Sequence, residues 1–327
     1  MSANLKKIAV LTSGGDSPGM NAAIRAVVRT AYFYNIGVMG IRQGYTGMVE
    51  DDFVSLSTLD VSNIIQRGGT ILKSSRCAAF HTKEGRQKAY SNLRGHGIDG
   101  LIAIGGDGTF TGANIFCKEF NLPIIGVPGT IDNDLYGTDS TIGYDTALNT
   151  ALNAIDQIRD TANSHNRLFF VEVMGRDVGF IALRSGIAGG AEAVLVPETK
   201  SDIPALFAKL EKKWERHKSS MIVVVAEGDE NGGAFKVAKA VKARFEHYDT
   251  KVSILGHMQR GGKPSCYDRV LASRLGVAAV EAILAGEKSL MVGIVHKDVL
   301  YTPFEKAIKH HKEINKNLLY LVDVLSS

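Results

Sequence analysis

Residues 7–33 read KIAVLTSGGDSPGMNAAIRAVVRTAYF. The first six, Lys7–Thr12, are a short and nearly continuous apolar run, the pattern of a strand buried on both faces. Met20–Phe33 then places apolar residues at helical spacing. The loop between them, Thr12–Asn21, holds paired glycines and Pro18, which break both patterns. The same succession returns along the chain. Strands are predicted at Gly100–Ile104, Pro123–Val127, Leu168–Val173, Met221–Val225 and Val252–Leu255. Helices are predicted at Gly108–Phe120, Thr141–Thr161, Ile203–His217, Ala234–Phe245 and Asp268–Leu284, with a last one of mixed face within Lys306–Ser327. This alternation predicts an α/β chain with mostly parallel sheets covered by helices. In open sheets of that kind, ligands sit on the loops at the carboxyl ends of strands.

Composition narrows the function classes. The chain has 327 residues, 45% apolar and 22% charged, enough for one large or two average domains and unlike a disordered sequence. Its formal net charge of +4 is small and dispersed, which argues against a nucleic-acid partner. No apolar run reaches the roughly 20 residues that span a bilayer. Ile8–Leu11 is too short for the core of a secretory signal. Cys77, Cys117 and Cys266 are widely spaced and form no metal-ligand pair. A reduced, cytoplasmic setting without membrane contact is therefore expected. The informative excess is glycine, 35 residues against only 7 prolines, gathered in short loops.

Five of those clusters could carry chemistry. The Thr12–Asn21 loop is either a tight turn or a phosphate cradle, since paired glycines open backbone N–H groups to an anion at a helix start. Gly105-Gly106-Asp107-Gly108-Thr109 leaves a single carboxylate in a loop otherwise bare of large side chains. Asp107 either caps the following helix or holds a magnesium ion that carries nucleotide phosphates. Pro128-Gly129-Thr130-Ile131-Asp132-Asn133-Asp134 is a solvated acidic turn or a pair of carboxylates with divided roles. Met174-Gly175-Arg176, with Arg167 upstream, and Gly256-His257-Met258-Gln259-Arg260-Gly261-Gly262 set cations beside glycine, as a phosphate clamp requires. Arg25 and Arg29 share one helix face, which fits a solvated basic surface as well as an anion site.

Taken together, these motifs resemble the bacterial ATP-type 6-phosphofructokinase family. They run in that family's order from Lys7 to about Gly286. GGDGT alone is also found in NAD kinases and diacylglycerol kinases, but five motifs in register are specific. The resemblance implies two Rossmann-like αβα sandwich domains with the active site in the cleft between them. It places the nucleotide domain at 1–142 plus 259–308 and the sugar-phosphate domain at 143–258 plus 309–327. It implies phosphoryl transfer from Mg²⁺-ATP to the 1-hydroxyl of fructose 6-phosphate.

The implied roles follow residue by residue. Asp132 would be the base, flanked by Thr130 and Asp134, and Asp107 the Mg²⁺ ligand. Gly14, Tyr45, Arg76, Cys77, Gly106, Gly108 and Thr109 would contact the nucleotide. Met174, Gly175, Glu227, His257 and Arg260 would contact the sugar phosphate, and Arg176 would be a catalytic residue that reaches the transferring or sugar phosphate. Arg167 and Lys251 would reach the 6-phosphate across a subunit boundary, which implies a homotetramer. Arg25, Arg29, Arg159, Glu192, Arg216 and Lys218 would form an effector site. Glycine at both 108 and 129 favours ATP over pyrophosphate, because pyrophosphate-using relatives usually carry Asp and Lys there. Asp107 and Asp132 are both present, which argues against a non-catalytic sensor.

The chain departs from the family pattern at a few positions. Lys251 stands where Arg is usual, keeping the charge but losing the bidentate fork. Arg216 replaces a Lys. Thr58 and Leu59 occupy places of an effector-binding Arg and an aromatic, which predicts blunted nucleotide activation. Cys77 and His81 differ from the common aromatic and Arg on the adenine side.

Overall fold

The computed structural model describes residues 5–165, 167–199, 203–215, 220–310 and 312–326. In chain order the elements are β1 (Lys7–Thr12), α1 (Met20–Phe33), β2 (Gly37–Ile41), α2 (Tyr45–Glu50), β3 (Phe53–Leu56), α3 (Lys83–Gly95), β4 (Gly100–Gly105), α4 (Asp107–Phe120) and β5 (Ile124–Pro128). There follow α5 (Tyr144–His165), β6 (Arg167–Val173), α6 (Phe180–Ala188), β7 (Ala193–Leu195), α7 (Ile203–Glu215), β8 (Met221–Ala226), α8 (Gly233–Arg244) and β9 (Asp249–Ile254). The last are α9 (Cys266–Leu284), β10 (Leu290–Val295), β11 (Asp298–Pro303), α10 (Phe304–Lys309) and α11 (Lys316–Leu325). No described helix is long and apolar enough to cross a membrane.

The described residues divide into two compact units, those within Met1–Thr146 and Arg260–Lys312, and those within Ala147–Gln259 and Glu313–Ser327. The first unit holds a seven-stranded sheet in the order β11-β10-β5-β4-β1-β2-β3. Its five central strands run parallel; β3 and β11 pair antiparallel at the two edges. Successive residues of a strand point to opposite faces. Ile8 and Val10 of β1 therefore join Ile102 and Ile104 of β4 in a core with α1 and α9. Ala9, Leu11, Leu101 and Ala103 face the other way, into a core with α4 and α3. Both faces being covered explains the near-continuous apolar strands.

The second unit holds a four-stranded, wholly parallel sheet in the order β7-β8-β6-β9. Leu168, Phe170, Val223 and Val225 pack with residues of α7 and α8. Their neighbours Val171, Ile222 and Val224 are equally buried on the opposite face.

Two helix expectations need correction. The helix predicted from Thr141 begins at Tyr144, because the backbone N–H of Thr141 goes to Asn133 Oδ1 and its hydroxyl to the Thr130 carbonyl. Gly143, at φ 101°, makes the turn into the helix. The segment Lys306–Ser327 is not one helix: α10 ends where His310 turns extended, and α11 starts afresh with Asn315 as its cap.

Candidate active site

In the first sheet β5, β4 and β1 are neighbours. Their carboxyl ends emit three of the glycine loops side by side. Hydrogen bonds lace these loops together: Ser13 N–H donates to the Ile104 carbonyl, and Gly129 N–H to the Gly105 carbonyl (2.9 Å). Thr109 Oγ1 donates to the Ser13 carbonyl at 3.1 Å. Gly105 permits this closeness, since a Cβ there would lie 2.3 Å from Thr109 Oγ1. Gly14, at φ 81°, turns the first loop beside the same threonine.

Asp107 opens α4 after the Gly106 cap. Its carbonyl accepts the Thr111 hydroxyl, and among the described residues no hydrogen bond or ion pair engages its carboxylate. No group of three or more His, Cys, Asp or Glu residues could hold a metal among the described residues. A lone half-buried carboxylate is nonetheless the donor set suited to Mg²⁺, which takes its other ligands from phosphates and water. A Cβ on Gly108 would meet nothing within 4 Å, so the space beside Asp107 is open. At Gly129 the reverse holds: a Cβ would press Ile104 Cγ2 at 3.1 Å and Met20 Cε at 3.2 Å.

The third loop is held rigidly. Thr130, Asp132 and Asn133 are buried. The Asp132 N–H donates to Thr130 Oγ1 at 3.2 Å. Ile142 N–H donates to the Pro128 carbonyl, and Gly129 pairs with Ile142 as an isolated bridge. Asn133 takes a left-handed conformation, φ 55°, and its side chain ties Thr141 and the Asp139 carbonyl. Behind the loop stands Asp268, wholly buried, accepting from Gly143 N–H (2.9 Å), Thr146 N–H (2.8 Å) and Thr146 Oγ1 (2.5 Å). It satisfies donors at the start of α5 that no turn of helix precedes. Burial pushes its carboxyl up to about 6.

Arg260 belongs to this unit. Its Nη1 donates to the Asp16 carbonyl at 3.2 Å. The guanidinium lies over Gly15, where a Cβ would sit 2.4 Å from Nη1. The residue expected on the sugar phosphate thus rests on the first glycine loop.

Of the other nucleotide candidates, Arg76 is exposed and Cys77 half-buried against the core. Tyr45 is buried, stacked on Phe80 at 4.0 Å between ring centres. Its hydroxyl donates to the Thr109 carbonyl at 2.5 Å, and burial raises its pKa. It acts as a strut behind α4's first turn.

In the second unit β8, β6 and β9 are neighbours, and their carboxyl ends bear Glu227, Met174-Gly175-Arg176 and His257. Glu227 Oε1 accepts from Arg176 N–H (2.7 Å) and Gly175 N–H (3.3 Å). It thereby fixes Arg176 at φ 56°, a left-handed conformation costly for a residue with a side chain. The Arg176 side chain is exposed, as is His257. Gln259 is fully buried, accepting from Met174 N–H and donating to the Gly256 carbonyl, so it joins two of the loops.

Arg167 and Lys251 do not join that group. Arg167 opens β6 and Met174 follows its end, about 20 Å of strand away. Of the effector candidates, Arg25 and Arg29 share a face of α1; burial, then its neighbour's charge, lowers the Arg25 pKa. Arg159 is bound to the carbonyls of Gly189 and Gly190 at the end of α6, and Glu192 is buried with the Ile222 N–H on its Oε2. Arg216 and Lys218 lie outside the described residues.

The residues missed from sequence are those that hold the loops. Ser265-Cys266-Tyr267-Asp268 has the form of a capping box, and Ser265 does cap α9. That Asp268 serves α5 instead, more than a hundred positions away, has no local signal.

Residues 7–283 match the family described as Phosphofructokinase. The chain belongs to the phosphofructokinase family. It is 55% identical to ATP-dependent 6-phosphofructokinase 2 of Bacteroides thetaiotaomicron over 98% of this chain and 99% of that one. It is 56% identical to ATP-dependent 6-phosphofructokinase 1 of Thermus thermophilus over 98% and 100%. Among solved structures, phosphofructokinase from Saccharomyces cerevisiae aligns with a TM-score of 0.88 at 37% identity over 98% of this chain, which spans 47% of the yeast chain. A pyrophosphate-dependent phosphofructokinase from Marinobacter aquaeolei shares the phosphofructokinase fold, with a TM-score of 0.84 at 24% identity, covering 99% of this chain and 92% of that one.

Proposed function

We propose that this phosphofructokinase transfers the γ-phosphoryl group of ATP to the 1-hydroxyl of fructose 6-phosphate. The observation that carries the reading is the row of three loops on adjacent strands, which sets Gly14, Asp107 and Asp132 at one edge of one sheet.

Phosphoryl transfer needs alignment and charge stabilisation more than covalent chemistry. Backbone N–H groups of the first two loops and the amino end of α4 receive phosphate oxygens. Asp107 would hold Mg²⁺, which when bound neutralises charge on the nucleotide's phosphates. Asp132 accepts the proton of the 1-hydroxyl as that oxygen attacks phosphorus and the bond to ADP breaks. Thr130 fixes the backbone of Asp132, and Asp134 completes the polar loop. Arg260, laid over Gly15, supplies positive charge beside the transferring group. Arg176 and His257, with the Met174-Gly175 turn held by Glu227, take the sugar phosphate.

Glycine at 108 supports ATP. An aspartate there would project a second carboxylate into the open space beside Asp107 and repel a nucleotide phosphate. The distance between the ends of β6 supports a homotetramer, in which Arg167 and Lys251 serve a neighbouring protomer's site. The test is fructose 1,6-bisphosphate formation with ATP or pyrophosphate. Asp132→Ala should lower kcat by about 10²–10⁴-fold with ATP. Equal turnover with pyrophosphate would overturn the donor assignment, and an active Asp132→Ala enzyme would overturn the base.

A further inference from the structure

At the amino end of the four-stranded sheet, the two cations assigned to the substrate's 6-phosphate already share an anion. Arg167 Nε donates to Asp249 Oδ2 at 2.8 Å, and Lys251 Nζ lies 2.8 Å from Asp249 Oδ1. The backbone enforces this grouping. Arg167 of β6 pairs with Asp249 of β9 in the ladder, and Lys251 is two residues beyond Asp249. Residues paired across strands, and residues two apart on one strand, project from the same face. One carboxylate therefore sits between two cations, each oxygen taking one, much as a phosphate would. The cations hold the Asp249 carboxyl below its usual range, Lys251 first and Arg167 second.

We infer that Asp249 is an internal competitor for the sugar 6-phosphate and sets the affinity for that substrate. The inference rests on the reading that Arg167 and Lys251 receive the 6-phosphate. A dianionic phosphate must displace the carboxylate or bind beside a like charge. Arg167 keeps its terminal nitrogens for the newcomer, because a guanidinium has five donors in a planar fork. Lys251 has a single compact ammonium, which must turn from one anion to the other. The lysine thus makes the competition sharper than an arginine would.

The experiment is steady-state kinetics on the whole enzyme with Asp249→Asn, Lys251→Arg, the double variant and Arg167→Ala. Asp249→Asn should lower the KM for fructose 6-phosphate by about three- to tenfold, the range two exposed ion pairs can hold, and leave the KM for ATP unchanged. Lys251→Arg should lower that KM in the native background and have little effect once Asp249 is gone. Arg167→Ala should raise it about tenfold or more. An unchanged KM in Arg167→Ala would remove the phosphate site itself and the inference with it. A raised KM in Arg167→Ala beside an unchanged or raised KM in Asp249→Asn would keep the site and overturn the inference: Asp249 would then only orient its neighbours. Asp249→Ser and circular dichroism of each variant separate these outcomes from a folding defect.

Discussion

Single atoms decide whether the first loop can work. Gly15 is a glycine because Arg260 lies on it, and its backbone conformation is one that alanine also adopts. Gly15→Ala should therefore fold, with Tm within about 2 °C of the parent, since the obstructing atoms are the far end of a flexible side chain. The guanidinium must swing away from the Asp16 carbonyl, and kcat/KM should fall about tenfold or more, as losing a charge-assisted contact does. Gly15→Ala combined with Arg260→Ala should be no worse than Arg260→Ala alone, because both remove one contact. Additive losses would show that Gly15 serves the nucleotide directly. Gly108→Asp belongs to the same scale. Its side chain enters open space, so stability should hold while turnover with ATP drops at least tenfold, read by the same assay.

At the scale of elements, the lesson concerns which parts were legible. The strands and helices that flank the site were readable because buried parallel strands are short apolar runs and glycine marks their ends. The loops with Asp107 and Asp132 were readable for the same reason. The edge strands β3 and β11, the three-residue β7, and β2 and β10, each interrupted by a glycine, were not, since too few residues repeat to make a period. Nor was the support of the Asp132 loop, which depends on a carboxylate far along the chain. Asp268 makes a prediction here. Its folded pKa of about 6 lies above the unfolded value near 3.9, so the native state holds the proton more tightly. Its contribution to stability is thus largest below about pH 4 and is lost as pH rises through 6. Relative to Asp268→Asn, the parent should lose roughly 2 kcal/mol of unfolding free energy between pH 4 and pH 7, measured by urea titration at each pH. A pH-independent difference would show that the helix-start donors fully compensate burial.

At the scale of the whole molecule, β6 carries Arg176 beyond one end and Arg167 at the other, so in the homotetramer proposed above one protomer would offer its strand to two sites. Asp132→Ala and Arg167→Ala enzymes, each impaired alone, should complement when their subunits are dissociated together and reassociated. A one-to-one mixture should regain about a quarter of the parent activity, the share of sites that draw both intact residues. Activity no higher than the average of the two variants would show that each protomer completes its own site. The discontinuous first unit has a further consequence, for biosynthesis. Helix α1 finds its partner in α9, where Gly276 lets the backbones meet at Ala23 and Ala26, and β5 finds β10. Both partners leave the ribosome only after the whole intervening unit has been made. At about 5–20 residues per second the amino-terminal half waits some ten to thirty seconds with an uncovered apolar face. For that interval the nascent chain is a client for chaperones, and the second unit, contiguous up to Gln259, is the part positioned to fold first.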